Sequence, residues 1–307
     1  VGEITGWAFD GQGKLIEGQV NYGEYSTKAL SDEERAAGSV LFCQARPQSD
    51  VVIEARSVRM AGEIQVKLLP SRLQKIERPT DDVAILYLKL PASENFQFIA
   101  GQYLDILLRD GTRRSFSMAN APYDNEFVQL HIRHVPGGSF TDHVFLKMKE
   151  REILRFEAPL GTFALREDST KPIVFVASGT GFAPIKSILE TAFRAGNTRP
   201  MTLYWGGRRP KDLYMNDLPQ QWAAEHANFR YVPVISDALP EDQWTGRSGF
   251  VHRAVMADFP DLSGHEVYAC GVPVMVDAAR KDFVAQCGLP EADFYCDSFT
   301  TAADKAG

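Results

Sequence analysis

Alternating apolar and polar positions mark the middle of the chain, from Ile64 to Phe163. Clusters of Gly, Pro, Asn and Asp separate these segments, and one helical stretch, about Thr141–Lys149, lies among them. Short strands at this spacing favour an antiparallel barrel. The predicted strands are Ile64–Leu69, Val83–Lys89, Tyr103–Leu108, Arg114–Met118, Phe127–Arg133 and Ile153–Phe156.

The pattern changes after Thr170. Pro172–Ala177 is a continuous apolar segment, and a helix from about Ala183 to Ala195 is predicted to follow it. Continuous apolar strands that alternate with helical or loop crossovers predict a parallel sheet covered on both faces. The further strands of this kind are Met201–Trp205, Phe229–Ile235 and Glu266–Cys270.

The first 55 residues are more polar and rich in turns. Ser31 is predicted to cap a short helix, because Glu34 three residues later completes a capping box. Two short strands, Ser39–Phe42 and Asp50–Ala55, are predicted next, and residues 56–63 have no clear period and suit a linker. The predicted divisions of the chain are 1–62, 63–166 and 167–307.

Composition narrows the class of protein. The chain has 307 residues, of which 44% are hydrophobic, which is enough for more than one core. The net charge of −7 disfavours a nucleic-acid partner, and no apolar run approaches the roughly 18 residues of a membrane span. The start, Val1–Gln12, lacks a signal-peptide pattern, and the cysteines Cys43, Cys270, Cys287 and Cys296 are scattered, so a cytoplasmic location is predicted.

The segment Ser178–Pro184 follows a predicted strand and opens a helix. Its glycines Gly179 and Gly181 let the backbone approach a diphosphate, and the free N–H groups of a helix start favour negative charge. An ordinary strand-to-helix turn is the alternative. The position after the first strand of a parallel sheet favours a nucleotide site.

Two further segments carry candidate chemistry in the barrel. Arg113–Asn120 presents an arginine that can hold a phosphate and serines that can hydrogen-bond a ring nitrogen. An exposed polar strand edge explains the same residues equally well. His131–Thr141 places a Gly-Gly turn and two hydroxyls at a predicted helix start, which is either a second anion site or a capped helix.

Tyr268–Met275 ends a late parallel strand and begins a helix. Cys270 at the carboxyl end of that strand faces the crevice where ligands bind. A buried inert thiol is the commoner fate of a lone cysteine. Since no base is evident nearby, Cys270 is interpreted as a positioning group and not as a nucleophile.

Together these segments resemble the ferredoxin–NADP reductase superfamily. The matches are Arg114-Ser115-Phe116-Ser117 to its flavin motif, Gly179–Pro184 to its diphosphate motif and Cys270-Gly271-Val272-Pro273 to its nicotinamide motif. Their order and spacing agree from Ile64 to Phe299. The stretch Tyr204–Arg209 is similar to bacterial NAD(P)H-flavin reductases, and the closest likeness is to the CDP-6-deoxy-Δ3,4-glucoseen reductases.

The resemblance implies a multi-domain fold: an antiparallel β-barrel that binds FAD, then a Rossmann-like α/β parallel sheet that binds NADH or NADPH. It implies catalytic roles for Ser117, Cys270 and Phe299. Phe116 stands where the family usually has Tyr, so one hydrogen bond to the cofactor is lost. The implied cofactor-binding residues are Arg114, Ser115, Phe116, Ser117, His131, Arg133, Gly137, Gly138, Ser139, Thr141, Gly179, Thr180, Gly181, Pro184, Arg208, Arg209, Cys270, Gly271 and Pro273.

The N-terminal segment resembles the later half of a plant-type [2Fe–2S] ferredoxin domain, an α+β fold that such relatives carry. Cys43 falls at the fourth ligand position, whereas Glu3, Ala8 and Gly11 occupy the other three. A plant-type cluster requires four thiolates. The sequence therefore predicts a partial ferredoxin-like segment without a metal site of the family pattern.

The predicted function is hydride transfer from NADH or NADPH to FAD, with electrons passed to an acceptor such as an iron–sulfur centre or an oxygenase or dehydratase component. Two alternatives stay open: a reductase that releases free reduced flavin, and a non-catalytic flavin-binding or docking module. Arg208 and Arg209 follow the strand over the adenosine ribose, and no acidic residue stands in Gly206–Pro210. Use of both coenzymes is therefore predicted.

Overall fold

The structure is a computed structural model that describes residues 7–9, 12–25, 27, 30–42, 44–55, 58–60 and 64–299. The chain divides into two compact units, Val1–Gln65 and Val66–Gly307. Across the described ranges, no helix combines the length and the apolar character needed to cross a bilayer.

Among its described residues, the first unit holds small antiparallel strand pairings and one short helix, α1 (Asp32–Ala36). The predicted capping box is confirmed: the Glu34 N–H donates to Ser31 Oγ at 3.2 Å, and the Ser31 N–H donates to Glu34 Oε2 at 2.7 Å. Its sheets have the orders β4-β2-β6, β1-β7 and β3-β5. The strands are β1 (Trp7–Phe9), β2 (Gln12–Glu17), β3 (Val20–Asn21), β4 (Ser39–Leu41), β5 (Arg46–Pro47), β6 (Val52–Ala55) and β7 (Val58–Met60).

The cluster-ligand positions of this unit are only partly visible. Ala8 lies in β1, which pairs with β7. Strand β7 itself lies within residues 56–63, the segment that the sequence predicted to be a linker. Cys43, Glu3 and Gly11 lie outside the described residues. Among the side chains that the structure describes, no group of three or more His, Cys, Asp or Glu residues is placed to hold a metal ion.

The second unit begins with a six-stranded antiparallel sheet of order β11-β10-β13-β8-β9-β12. A bridge between Met118 and Leu130 joins the two ends of this order, which closes the sheet into the predicted barrel. The strands are β8 (Lys67–Thr80), β9 (Val83–Lys89), β10 (Tyr103–Leu107), β11 (Arg113–Ser117), β12 (Val128–Arg133) and β13 (Ile153–Leu160).

Strand β8 is much longer than the predicted Ile64–Leu69. Its register with β9 shifts between Leu73 and Lys75 and again between Glu77 and Thr80. Such bulges bend a strand, so β8 pairs with β13 along its first half and with β9 along its second half. Helix α2 (Ser139–Leu146) starts two residues before its predicted start and packs Phe140 and Val144 into the barrel core.

The rest of the unit is a six-stranded parallel sheet of order β17-β16-β15-β14-β18-β19. Two buried clusters cover its faces, one with α3 and one with α5 and α6, which explains the continuous apolar strands. The strands are β14 (Ile173–Ser178), β15 (Met201–Gly207), β16 (Phe229–Ile235), β17 (Arg247–Ser248), β18 (Glu266–Gly271) and β19 (Phe294–Ser298). The helices are α3 (Phe182–Arg194), α4 (Asp217–Glu225), α5 (Val251–Asp258) and α6 (Pro273–Cys287).

The strand order of this sheet reverses beside β14. The chain runs from β14 outward to β17 and then returns to place β18 on the other side of β14. In open α/β sheets, the carboxyl ends of the strands at such a reversal form the ligand crevice. The segments Ser178–Pro184 and Cys270–Pro273 both lie at this point.

A buried arginine fixes the connection between barrel and parallel sheet. Arg199 Nε donates to Lys171 O at 2.6 Å, and Nη1 donates to Arg166 O at 2.9 Å. Its Nη2 pairs with the buried Glu266 carboxylate at 2.6 Å, which also accepts from the Tyr268 hydroxyl. Because removal of one partner would leave a buried charge uncompensated, this network holds the connecting segment in one conformation.

Candidate active site between the barrel and the parallel sheet

The glycine turn Gly179–Gly181 leads from β14 into α3 as one turn of 3₁₀ helix. A Cβ on Gly181 would lie 2.1 Å from Cys270 O, so this position accepts only glycine. The Gly179 carbonyl accepts a hydrogen bond from the indole Nε1 of Trp205 at 3.0 Å. Thr180 is partly exposed, and Pro184 is buried in the first turn of α3.

The second loop, Cys270–Pro273, packs directly on the glycine turn. Gly271 has φ +141°, and a Cβ there would lie 2.1 Å from Ser178 Oγ. That same oxygen accepts from the Val272 N–H at 3.1 Å, and Pro273 begins α6. The sequence-predicted glycine and cysteine motifs are thus brought together at one edge of the sheet.

The Cys270 thiol is fully buried. Burial, with a further contribution from Asp297 and Cys296, raises the pKa of Cys270 well above its ordinary value. The group is a neutral thiol at physiological pH, and a nucleophile needs the thiolate. Cys270 is therefore not set up to act as a nucleophile.

Three residues from other strands and segments of the chain, Ser117, Asp297 and Phe299, lie beside this thiol. Ser117 is buried and donates its hydroxyl to Asp297 Oδ2 at 3.4 Å, across 180 positions of sequence. Asp297 lies opposite Cys270 in the β18–β19 register. The Phe299 N–H donates to Gly271 O at 2.8 Å, and the Phe299 ring packs against the buried hydrophobic cluster that includes Cys270. The three residues predicted as catalytic are therefore neighbours.

The sequence reading missed Asp297. Burial raises the pKa of this carboxyl to about 6, although the hydrogen bond from Ser117 acts in the opposite direction. A half-buried acid that can be protonated near neutral pH is a candidate functional group. The sequence does offer one signal for Asp297: it is an acidic residue in the last apolar segment of the chain, two positions before Phe299.

A second region lies at the other end of β11. Arg114 Nη2 is 3.5 Å from Ser139 Oγ, at the first residue of α2, and the Phe116 ring lies 5.3 Å from that of Phe140. The first N–H groups of a helix have no partner within the helix. Arg114 and the start of α2 therefore make a site suited to a phosphate group. Ser115 differs, because its hydroxyl is engaged with Asp105 at 2.6 Å.

Some polar groups of the Gly-Gly turn before α2 already form hydrogen bonds with the start of that helix. Thr141 Oγ1 donates to Val135 O at 2.8 Å, and the Gly137 N–H donates to Asp142 Oδ2 at 3.1 Å. A Cβ on Gly138 would lie 2.7 Å from Thr141 Oγ1. The predicted ligand groups of Thr141 and Gly137 thus hold the turn itself, whereas Arg114 and Ser139 face the site.

His131 and Arg133 point from β12 toward the parallel-sheet domain. His131 Nδ1 lies 2.8 Å from the Tyr214 hydroxyl, and burial lowers the pKa of His131 well below its ordinary value, so the ring is neutral. Arg133 Nη1 donates to Asp82 at 2.6 Å and lies 3.7 Å from Asp212.

Arg133 also carries buried donors that have no partner among the described residues, namely Nε and Nη2. A Cβ built on Gly179 would lie 3.5 Å from that Nε, so these donors lie beside the glycine turn. Buried unpaired donors are rare and indicate a missing partner. An anionic group at the turn would satisfy them, which fits the diphosphate of a dinucleotide.

Arg208 and Arg209 have different surroundings, although the sequence reading gave them one role. Arg209 forms a two-point ion pair with Asp242, at 2.5 and 2.8 Å, and lies 3.5 Å from Glu241. Arg208 is exposed, and its backbone N–H donates to Asp212. Of these two arginines, only Arg208 presents its guanidinium without a carboxylate partner among the described residues.

Comparison with known proteins agrees with this division. Residues 70–165 match the oxidoreductase FAD-binding domain, and residues 175–281 match the oxidoreductase NAD-binding domain. The chain is 42% identical over 285 residues to the CDP-6-deoxy-L-threo-D-glycero-4-hexulose-3-dehydrase reductase of Yersinia pseudotuberculosis, covering 93% of this chain and 84% of that protein.

Two more similar proteins are also named as reductases. A terephthalate 1,2-dioxygenase reductase component of Comamonas is 36% identical over 289 residues, with 94% of this chain and 84% of that protein covered. The crystal structure of an Amycolatopsis cytochrome P450 reductase superposes with a TM-score of 0.77 at 33% identity, covering 95% of this chain and 87% of the other.

The barrel and the parallel sheet agree with these relatives, and the predicted fold class and flavoprotein reductase activity are confirmed. Arg114 with Ser139 on one side and the glycine turn on the other fit FAD and a nicotinamide coenzyme. The chain belongs to the ferredoxin–NADP reductase-type family of FAD- and NAD(P)H-binding oxidoreductases.

Proposed function

We propose that this reductase takes electrons from NADH or NADPH through FAD and delivers them to a partner protein, an oxygenase or dehydratase component. The observation that carries the proposal is the meeting of Ser117, Cys270, Asp297 and Phe299 between the barrel and the carboxyl edge of the parallel sheet. The relatives' names, which include a dehydrase reductase and a dioxygenase reductase component, support this class of partner.

The roles of the residues follow from their contacts. When bound, the flavin and the nicotinamide supply the hydride and electron chemistry, and the protein supplies binding and orientation. Arg114 would bind an FAD phosphate, and Arg133 would bind the coenzyme diphosphate beside Gly179. Phe299 would cover the flavin ring.

Ser117 and Asp297 would handle a proton beside the flavin. The Ser117 hydroxyl already donates to Asp297 Oδ2, and that carboxyl has a pKa of about 6. A group with a pKa near the operating pH can both hold and release a proton. Cys270, a neutral thiol, would set how closely the nicotinamide approaches.

The finer assignments are part of the same proposal. The proposed divisions are 1–62 as a partial ferredoxin-like domain, 63–166 as the FAD barrel and 167–307 as the coenzyme domain. Dual coenzyme use is supported by the exposed Arg208 near the strand end that faces the ribose. A cytoplasmic location is supported by the scattered cysteines of the sequence.

A visible spectrum with an iron and sulfide assay tests the proposal. We expect flavin bands, retention of FAD through gel filtration and bleaching by NADH or NADPH without oxygen. We expect well below two irons per chain, because only Cys43 stands at a cluster position.

Other outcomes identify the alternatives. Flavin that exchanges freely and is reduced in solution indicates a free-flavin reductase. Bound flavin that no nicotinamide coenzyme bleaches indicates a non-catalytic module.

A further inference from the structure

The first half of helix α3 is hydrogen-bonded to the barrel. Ser187 Oγ donates to Asn120 O at 2.7 Å, and Lys186 Nζ donates to Ala119 O at 3.2 Å. Both side chains are buried, with 0% and 7% of their surfaces exposed. The acceptors are main-chain carbonyls, so these bonds fix the backbone of the barrel segment and not merely a side chain.

That barrel segment is the continuation of β11. Ala119 and Asn120 follow Ser117 by two and three residues. Asn120 is itself held on both sides, since its Oδ1 accepts from the Gln129 N–H at 2.9 Å and its Nδ2 donates to Asp124 O at 2.8 Å. The backbone that carries Ser117 is therefore anchored directly to α3.

The other end of this connection is the glycine turn. Ser187 lies six residues after Gly181, a distance of about 9 Å along an α-helix. A continuous path of buried contacts thus runs from Ser117, through the carbonyls of Ala119 and Asn120, along the first turns of α3, to Gly181.

Lys186 is an unusual choice for such a position. Burial of an amino group is costly unless it is paired, and Lys186 is paired, at 2.9 Å, with Glu190 one turn later. Burial raises the pKa of Glu190 although Lys186 acts to lower it. A solvent-exposed Lys–Glu pair would stabilise the helix equally well. The burial of Lys186 is instead explained by its hydrogen bond to the Ala119 carbonyl of the barrel.

We propose that Lys186 and Ser187 are positioning residues for hydride transfer, and this inference rests on the proposed function. They hold the flavin strand and the coenzyme turn at one separation. Small errors in the separation of reacting atoms are costly in rate. Loss of either contact should therefore slow the transfer step while both ligands still bind.

Ser187→Ala and Lys186→Met test the proposal, with Thr191→Ala as the matched control. The Thr191 hydroxyl also lies on α3, but it donates to Ser187 O within the helix at 2.7 Å. In stopped-flow experiments on FAD-loaded protein, we expect the rate of flavin reduction to fall about tenfold in both test variants. Flavin content and the dissociation constant of NADH should stay within about twofold of wild type, and Thr191→Ala should match wild type.

A second measurement needs no coenzyme. Hydrogen exchange of the flavin-free protein should accelerate in the segment 118–124 in Ser187→Ala, and not in Thr191→Ala. Transfer at the wild-type rate in Ser187→Ala would overturn the proposal, as would an equal loss in all three variants or a loss confined to ligand binding. Wild-type protein whose flavin is not reduced by either coenzyme would instead refute the proposed function itself.

Discussion

The raised pKa of Asp297 makes the stability of the second unit depend on pH. The carboxyl titrates at about 6 in the folded protein, against 3.8 for an unperturbed aspartate. Between these values the folded state binds more protons than the unfolded state, so stability falls as pH rises through this window and is level above it. Replacement by Asn removes the titration and should remove this dependence.

The size of the effect follows from the shift. Each pKa unit corresponds to about 1.4 kcal/mol, and about half of the total change falls between roughly pH 5 and pH 7. Because the side chain is only half-buried, solvent screening reduces the value further. We expect wild-type protein to lose roughly 1 kcal/mol relative to Asp297→Asn over that interval.

Urea unfolding of flavin-free protein at several pH values measures this difference. Tryptophan fluorescence reports the transition, because Trp205, Trp222 and Trp244 lie in the same unit and Trp205 is fully buried. Ser117→Ala is the companion variant: because the hydroxyl lowers the pKa of Asp297, its removal should move the inflection to higher pH. A difference between wild type and Asp297→Asn that does not change with pH would refute the reasoning.

Three further predictions concern ligand binding and transfer. Arg114→Ala should weaken FAD retention by about tenfold to a hundredfold, the value of a charge-assisted hydrogen bond, measured as flavin content after gel filtration. Cys270→Ala should slow flavin reduction in stopped flow with flavin content unchanged, and a wild-type rate would leave the thiol a purely structural role. Arg208→Ala should lower kcat/KM for NADPH more than for NADH; for Arg209→Ala we expect the same direction but a smaller effect, because Asp242 already holds that guanidinium.

Local patterns were sufficient to predict most of the fold. The apolar segment Val83–Lys89 predicted β9 with its observed bounds, and the continuous apolar run after Lys171 predicted β14 within one residue at each end. Strand β8 was underestimated, because its length depends on bulges that match two partners. The edge strand β19 was not predicted, since its five residues have no period that separates them from a loop.

The candidate site was predictable only in part. Glycine turns and the Cys270 loop carry local signals, because their chemistry depends on neighbouring residues. Two other contacts carry no local signal, because each joins the parallel-sheet domain to the barrel. They are the contact of Asp297 with Ser117 and that of Tyr214 with His131. Such contacts follow from how two domains pack, which no periodicity in a single segment encodes.

The close packing of the glycine turn on the Cys270 loop limits how this edge can evolve. No side chain fits at Gly181 or Gly271, because backbone or Ser178 atoms already lie 2.1 Å from where a Cβ would stand. Variation is left to the positions that face outward, Thr180 and Val272, the latter with 49% of its surface exposed. A library intended to change the nicotinamide substrate should therefore keep the glycines fixed and randomise these two positions together.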